Sequence, residues 1–218
     1  INNLQLDSNQ ISLGGSGALE LEPLRLQMDW KLARLDPGPR VPQLQLDGIN
    51  GNGSIVLTRS GEQLDASVEL EQLEGLLNEY PLAITGKLEI ADSQLESVNL
   101  QASNRDNTLA LTGTTTPALD LQWQLQAPAL DQLWQGLGGE LSGQGTLSGT
   151  TELPEVNGTL EGSKLQLASG NMTLQLDSLQ MQAAFNNAAN DIQLELGTVV
   201  MRDLVAGQRT ERELLQQG

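Results

Sequence analysis

The stretch Asp47-Gly48-Ile49-Asn50-Gly51-Asn52-Gly53 comes nearest to a metal site in its spacing, because a calcium loop needs oxygen side chains broken by glycine. Aligning Gly53 with the loop's obligatory glycine puts Gly48 at the first ligand position and Arg59 at the last, where carboxylates belong. The stretch therefore reads as a plain turn, and no metal site is expected. Two pairs of nearby carboxylates, Asp29 with Asp36 and Glu69 with Glu71, have the residue type for acid–base work. In a chain of net charge −17 they read as solvated charges instead. The absence of His removes the commonest general base and any Ser-His-Asp triad, and the absence of Cys removes disulfides and thiolate zinc sites. No catalytic residue and no cofactor is expected, so the chain is not expected to be an enzyme.

What remains to carry function is apolar. Gln43-Leu44-Gln45-Leu46-Asp47, Leu119 to Gln126, Met172 to Asp177 and Ile192 to Leu196 each alternate apolar with polar residues. A strand points successive side chains to opposite faces, so each stretch has one apolar and one hydrated face. The candidate lining of an apolar groove is Leu44, Leu46, Ile55, Leu57, Val68, Leu70, Ile84, Leu88, Ile90, Val98, Leu100, Leu109, Leu111, Leu121, Trp123, Leu125, Leu160, Leu165, Leu167, Leu174, Leu176, Ile192 and Leu194. Without any resemblance to a known family, these positions read first as the packing of a closed β-helix or sandwich core. Three Trp, one Tyr and one Phe are few for filling one behind so much leucine, which favours an open surface.

A chain of 218 residues fits one elongated domain or two ordinary ones. No basic patch exists to neutralise phosphates, so neither nucleic acid nor an anionic membrane surface is an expected partner. Acidity instead keeps a Leu- and Gln-rich β protein soluble and its edges self-repelling. No apolar run reaches the length of a membrane span, and no signal-peptide pattern opens the chain. The alternation is already running by Leu4-Gln5-Leu6, so the chain is expected to be part of something larger, with any anchor outside it.

These alternations predict an all-β fold of strands four to eight residues long. Turns are expected at Gly14-Gly15-Ser16-Gly17, Asn50-Gly51-Asn52-Gly53, Asn104-Arg105-Asp106-Asn107 and Gly138-Gly139. Residues 1–35 open the sheet and residues 36–42, with Pro37, Pro39 and Pro42, form a cross-over, because proline donates nothing to a ladder. Residues 43–207 form the main sheet, and 208–218 a polar tail, helical or frayed. Leu70 to Leu77 and Leu130 to Leu137 are both spaced for a short amphipathic helix. The match continues with a one-residue slip, Leu82, Gly86 and Leu88 falling opposite Leu141, Gly145 and Leu147. A period of about sixty residues predicts a solenoid-like stack.

The succession Asn104 to Gly113, Leu119 to Leu125, Ala127-Pro128-Ala129-Leu130, Leu133-Trp134, Leu137-Gly138-Gly139, Leu141-Ser142-Gly143, Leu147 to Thr150 and Leu153-Pro154-Glu155-Val156 resembles the TamB family, within the wider AsmA-like group. The resemblance is clearest over about residues 64 to 200 and rests on loose strings of Leu, Gly and Pro. It implies a long sheet curled into an open trough with an apolar interior, a β-taco, in a periplasmic protein tethered to the inner membrane. It also implies a role in outer-membrane biogenesis, as carrier of phospholipid acyl chains or as helper in inserting β-barrel proteins. A TamA-like barrel in the outer membrane is the implied partner, and the partner-docking strand of the family matches nothing in this chain.

Burying a fifteen-carbon acyl chain at about 0.8 kcal/mol per CH₂ contributes on the order of 10 kcal/mol, and needs an unbroken apolar strip rather than particular residues. Some sixteen strands at about 4.8 Å spacing would extend such a strip roughly 75 Å. Trp123 is expected to face the same way as Leu121 and Leu125, and Trp134 to anchor the short helix to the sheet. The alternatives are a scaffold that pairs its sheet edge with strands of unfolded barrel proteins and a secreted β-solenoid adhesin, for which surface aromatics are lacking.

Overall fold

The structure, a computed structural model, describes residues 4–8, 10–35, 45–150, 153–169, 172–185, 190–196, 199–205 and 208–215, with side-chain surroundings described up to Ala184, Ser169 excepted. The first half of the chain gives β1 (Leu4–Asp7), β2 (Ile11–Leu21), β3 (Leu24–Leu35), β4 (Leu46–Ser60), β5 (Gln63–Leu77), β6 (Tyr80–Ala91), β7 (Gln94–Asn104) and β8 (Asn107–Thr114). The second half gives β9 (Leu119–Ala127), α1 (Leu130–Leu133), β10 (Leu137–Gly149), β11 (Pro154–Ser169), β12 (Met172–Phe185), β13 (Asn190–Leu196), β14 (Val199–Val205) and β15 (Gln208–Leu215). All fifteen strands join one open, curled antiparallel sheet in sequence order, except that β13 and β14 share one edge of β12. Each strand packs almost wholly on its neighbours in the chain, the property of a solenoid, with the hairpin as the working unit.

Strands run to 16 residues, longer than alternation alone suggests, because the glycine clusters are not turns. Gly14-Gly15-Ser16-Gly17 lies inside β2, Asn50 to Gly53 inside β4, and Gly138-Gly139 inside β10. Reversals fall instead at tight pairs such as Asn78-Glu79 and Asp92-Ser93, where both residues have positive φ (51° and 72°; 51° and 65°), as the twist of a two-residue hairpin demands. The turn expected at Asn104 to Asn107 is present, with Arg105 and Asp106 at its tip. The Asp47 to Gly53 stretch is likewise strand, not turn, with Gly48 at φ +61° in an irregularity of β4.

The helix expected over Leu70 to Leu77 is absent. That segment is the second half of β5, which carries one more residue between Leu70 and Leu73 than either neighbour does across the same step. An extra residue in a bulge restores the strand's facing, so apolar residues three apart stay on one side. The same cause underlies Leu32/Leu35 in β3, Leu46/Ile49 in β4 and Leu95/Val98 in β7. In β11 the left-handed Lys164 (φ 51°) has this effect, bringing Leu165 against Gly162. Bulges bend strands and sharpen their twist.

The sixty-residue period holds for the sheet and fails for the helix. Leu82 and Leu141, Gly86 and Gly145, and Leu88 and Leu147 each occupy equivalent rows, whereas only the second copy begins with a helix, and that helix is four residues long. The tail expected to be helical or frayed is strand β15, paired with β14, because ladder hydrogen bonds from a neighbour outweigh local preference. The Pro-rich cross-over at 36–42 and Leu44 lie outside the described residues.

Candidate functional site

Register places cross-strand partners on one face, so the pairings trace rows across the sheet. One row runs Leu4, Gly15, Trp30, Gly53, Leu70, Gly86, Leu100, Leu111, Trp123, Gly145, Gly158, Ala183 through β1 to β12. Every member is apolar or glycine. The rows on either side are equally free of polar side chains. One includes Met28, Ile55, Val68, Leu88, Val98, Leu121, Leu147 and Val156; the other includes Leu32, Leu73, Ile84, Ala102, Leu109, Leu125, Leu160 and Met181. Twelve strands and three rows make a strip roughly 50 Å long and 13 Å wide.

The predicted lining residues fall on this strip or at its margins. Leu57 and Ile90 extend it at one side. Leu46 sits at the opposite side, paired with Leu77, as do Leu165 with Leu176 and Leu167 with Leu174. Ile192 and Leu194 are placed by register alone, beside Ala183 and Met181. Val98 and Leu121 are buried, while Leu109 (47% exposed), Leu167 (46%) and Leu174 (36%) are open, and the rest that are described are half-buried. Among the described residues no second layer covers the strip across its length and no large side chain is completely sealed.

Sequence reasoning missed the glycines that shape the strip. The Trp123 indole lies across three of them: a Cβ on Gly145, Gly158 or Gly143 would meet the ring at 2.7, 2.8 or 3.1 Å. Trp30 lies over Gly53 in the same way, at 2.8 Å. The aromatic rings thus lie flat on glycine saddles, which keeps them low along the strip. Gly145→Ala overpacks the Trp123 saddle and should lower unfolding free energy by about 1–3 kcal/mol, measured by urea titration.

Also missed was a cluster of buried amides at one rim. The segment 128–136, which contains α1, passes on the apolar side over the ends of β8 and β7 as far as the β5–β6 turn. Asn107 Nδ2 donates to the Ala129 carbonyl at 2.9 Å, and the Ala129 N–H donates to Asn107 Oδ1 at 3.1 Å. Asn78 Nδ2 donates to the Leu133 carbonyl at 2.8 Å, and Gln132 Nε2 to Asp106 at 3.1 Å. Leu130 and Gln132, at 7% and 6% exposure, anchor this strap, and Trp134 beside them is 36% exposed. Asn104 is buried beside them, its Nδ2 within 3.3–3.4 Å of three carbonyls and its Oδ1 without a partner.

The opposite face is hydrated. Lys87 Nζ lies 2.7 Å from Glu89, and this contact raises the lysine's pKa. It also holds the Glu89 carboxyl below its usual range, with help from the Ser97 hydroxyl. A hollow of about 540 Å³ is lined by Gln122, Gln124, Gln144, Thr146, Thr159 and Gln182 of this face together with Trp123, Gly145, Gly158 and Ala183 of the central row. Its amides and hydroxyls would lose their water under an acyl chain. Among the described residues, no helix is long and apolar enough to cross a membrane.

The family model described as "TamB, N-terminal domain" matches residues 1–213. Over 123 residues the chain is 28% identical to the translocation and assembly module subunit TamB of Haemophilus influenzae, a stretch covering 56% of this chain and 9% of that protein. The alignment thus spans under a tenth of the length of this curated relative. No solved structure matches the chain.

Proposed function

The chain belongs to the TamB family, and from that membership we propose that it is part of a periplasmic, inner-membrane-tethered protein that shields phospholipid acyl chains in transit between the inner and outer membranes. The observation that carries this reading is the Leu4-to-Ala183 row, which crosses twelve strands without a polar side chain. Apolar burial is non-directional and scales with area, so a continuous strip can hold a chain at any point and let it slide. The role is non-enzymatic, and a TamA-like barrel is engaged through parts of the protein outside these residues. The relative's name, a translocation and assembly module subunit, is consistent with that partnership.

The test is mass spectrometry of lipids extracted from the purified chain. Phospholipid should co-purify, and Leu109→Asp and Leu174→Asp should each deplete it. Both side chains are exposed, so the charge remains solvated and Tm changes little. Leu121→Asp is unsuitable, since Leu121 is buried and its loss would unfold the sheet locally. Wild-type protein free of lipid would contradict the reading.

A second reading, a scaffold that pairs strands with unfolded barrel proteins, draws on the sheet's first edge. Among the described residues, β1 pairs only with Ser12–Gly15 of the much longer β2. Cross-links to peptide clients in the absence of lipid would favour it.

A further inference from the structure

We propose that a phospholipid lies in the strip with its headgroup over the rim bearing Leu95, opposite the strap. This deepens the acyl-chain reading and rests on it.

The two rims of the sheet are built differently over β6 to β9. At one, the strap 128–136 leans onto the apolar side and is fastened by Asn78, Asn107 and Gln132. Ala127 beneath it is 1% exposed and Asn107 2%. A headgroup there would have to displace these amides from their carbonyls and leave buried polar groups unpaired. At the other rim the β6–β7 reversal is only Asp92-Ser93, both exposed, and the 115–118 connection beside it is fastened along β7, at the carbonyls of Leu95 and Glu96. Leu95 is 41% exposed just inside that rim, and its carbonyl is already satisfied by the hydroxyls of Thr115 and Thr116. Further along the same rim Leu19 and Leu21 are 44% and 73% exposed. Glycerol and the first methylenes of a lipid can therefore cross this margin on apolar side chains, while the headgroup stays in water.

The experiment uses the full 218-residue chain, amide NMR and two phosphatidylcholine probes, one with a nitroxide on the acyl chain and one with it on the headgroup. The acyl label should broaden Leu100 and Leu111, and the headgroup label should erase the amide signals of Asp92, Ser93 and Leu95 while sparing Asn78 and Arg105. Headgroup broadening of both rims alike, or of Asn78 and Arg105 alone, overturns the inference and leaves acyl-chain binding standing. An acyl label that broadens nothing along the strip overturns the binding reading itself, and the inference falls with it.

Discussion

Deleting Asn99 should destabilise the chain by several kcal/mol, roughly 2–6, whereas deleting Gln72 should leave it nearly intact. Asn99 stands between Val98 and Leu100 in a regular part of β7, with Val98 facing Leu88 and Leu100 facing Gly86. Removing it moves one half of the strand by a single position. Either Leu100 and Ala102 turn to the hydrated face while Gln101 and Ser103 enter the strip, or Leu95 and Val98 are lost in the same way. Each large apolar side chain so displaced costs up to about 1.5–3 kcal/mol, so the total, roughly 2–6 kcal/mol, is a large share of the stability of a typical domain, about 5–15 kcal/mol. Gln72 is a residue of the β5 bulge. Without it Leu70 and Leu73 are two apart and still share the apolar face, so the loss is limited to exposed hydrogen bonds with a net worth of about 1 kcal/mol. Circular-dichroism melts of the two deletions check this directly, and equal damage from both would refute the register.

Asn107→Ala should lower the stability of the chain by about 2 kcal/mol, because it leaves the part-buried Ala129 N–H without its acceptor, while the Ala129 carbonyl keeps only the Gln132 N–H. For a chain of this length that corresponds to a Tm decrease of roughly 4–8 °C. Asn107→Asp keeps the acceptor for the Ala129 N–H and loses the donor, so it should fall between. An exposed amide such as Gln124 should tolerate alanine with no measurable change. Urea titrations of the three variants separate a structural clamp from a surface asparagine.

The alternating segments were legible because their physics is local: Leu119 to Ala127 reads as a strand with one buried face, and it is one. Leu70, Leu73 and Leu77 misled because a bulged strand and a helix both set apolar residues three or four apart, and only the partner strands distinguish them. Glycine clusters misled for a related reason. Gly53 and Gly145 look like turn residues in sequence, but each sits mid-strand under an indole contributed by a neighbouring strand. The strap was half legible, since Leu130 to Leu133 is a helix, but Asn78 and Asn107 lie 55 and 22 residues from the carbonyls they hold. No local signal marks such amides. The continuity of the strip was likewise invisible residue by residue, because it depends on register across twelve strands.

The central claim, that the strip is an accessible surface for acyl chains, is tested most directly at Trp123. In a Trp30→Phe, Trp134→Phe variant it is the only indole, and it lies in the strip on its glycine saddle. Phosphatidylcholine brominated on its acyl chain, bound to this protein, should quench Trp123 emission, and the unbrominated lipid should not. Emission unchanged by the brominated lipid at concentrations where lipid is bound would place the chain elsewhere on the protein and contradict the account.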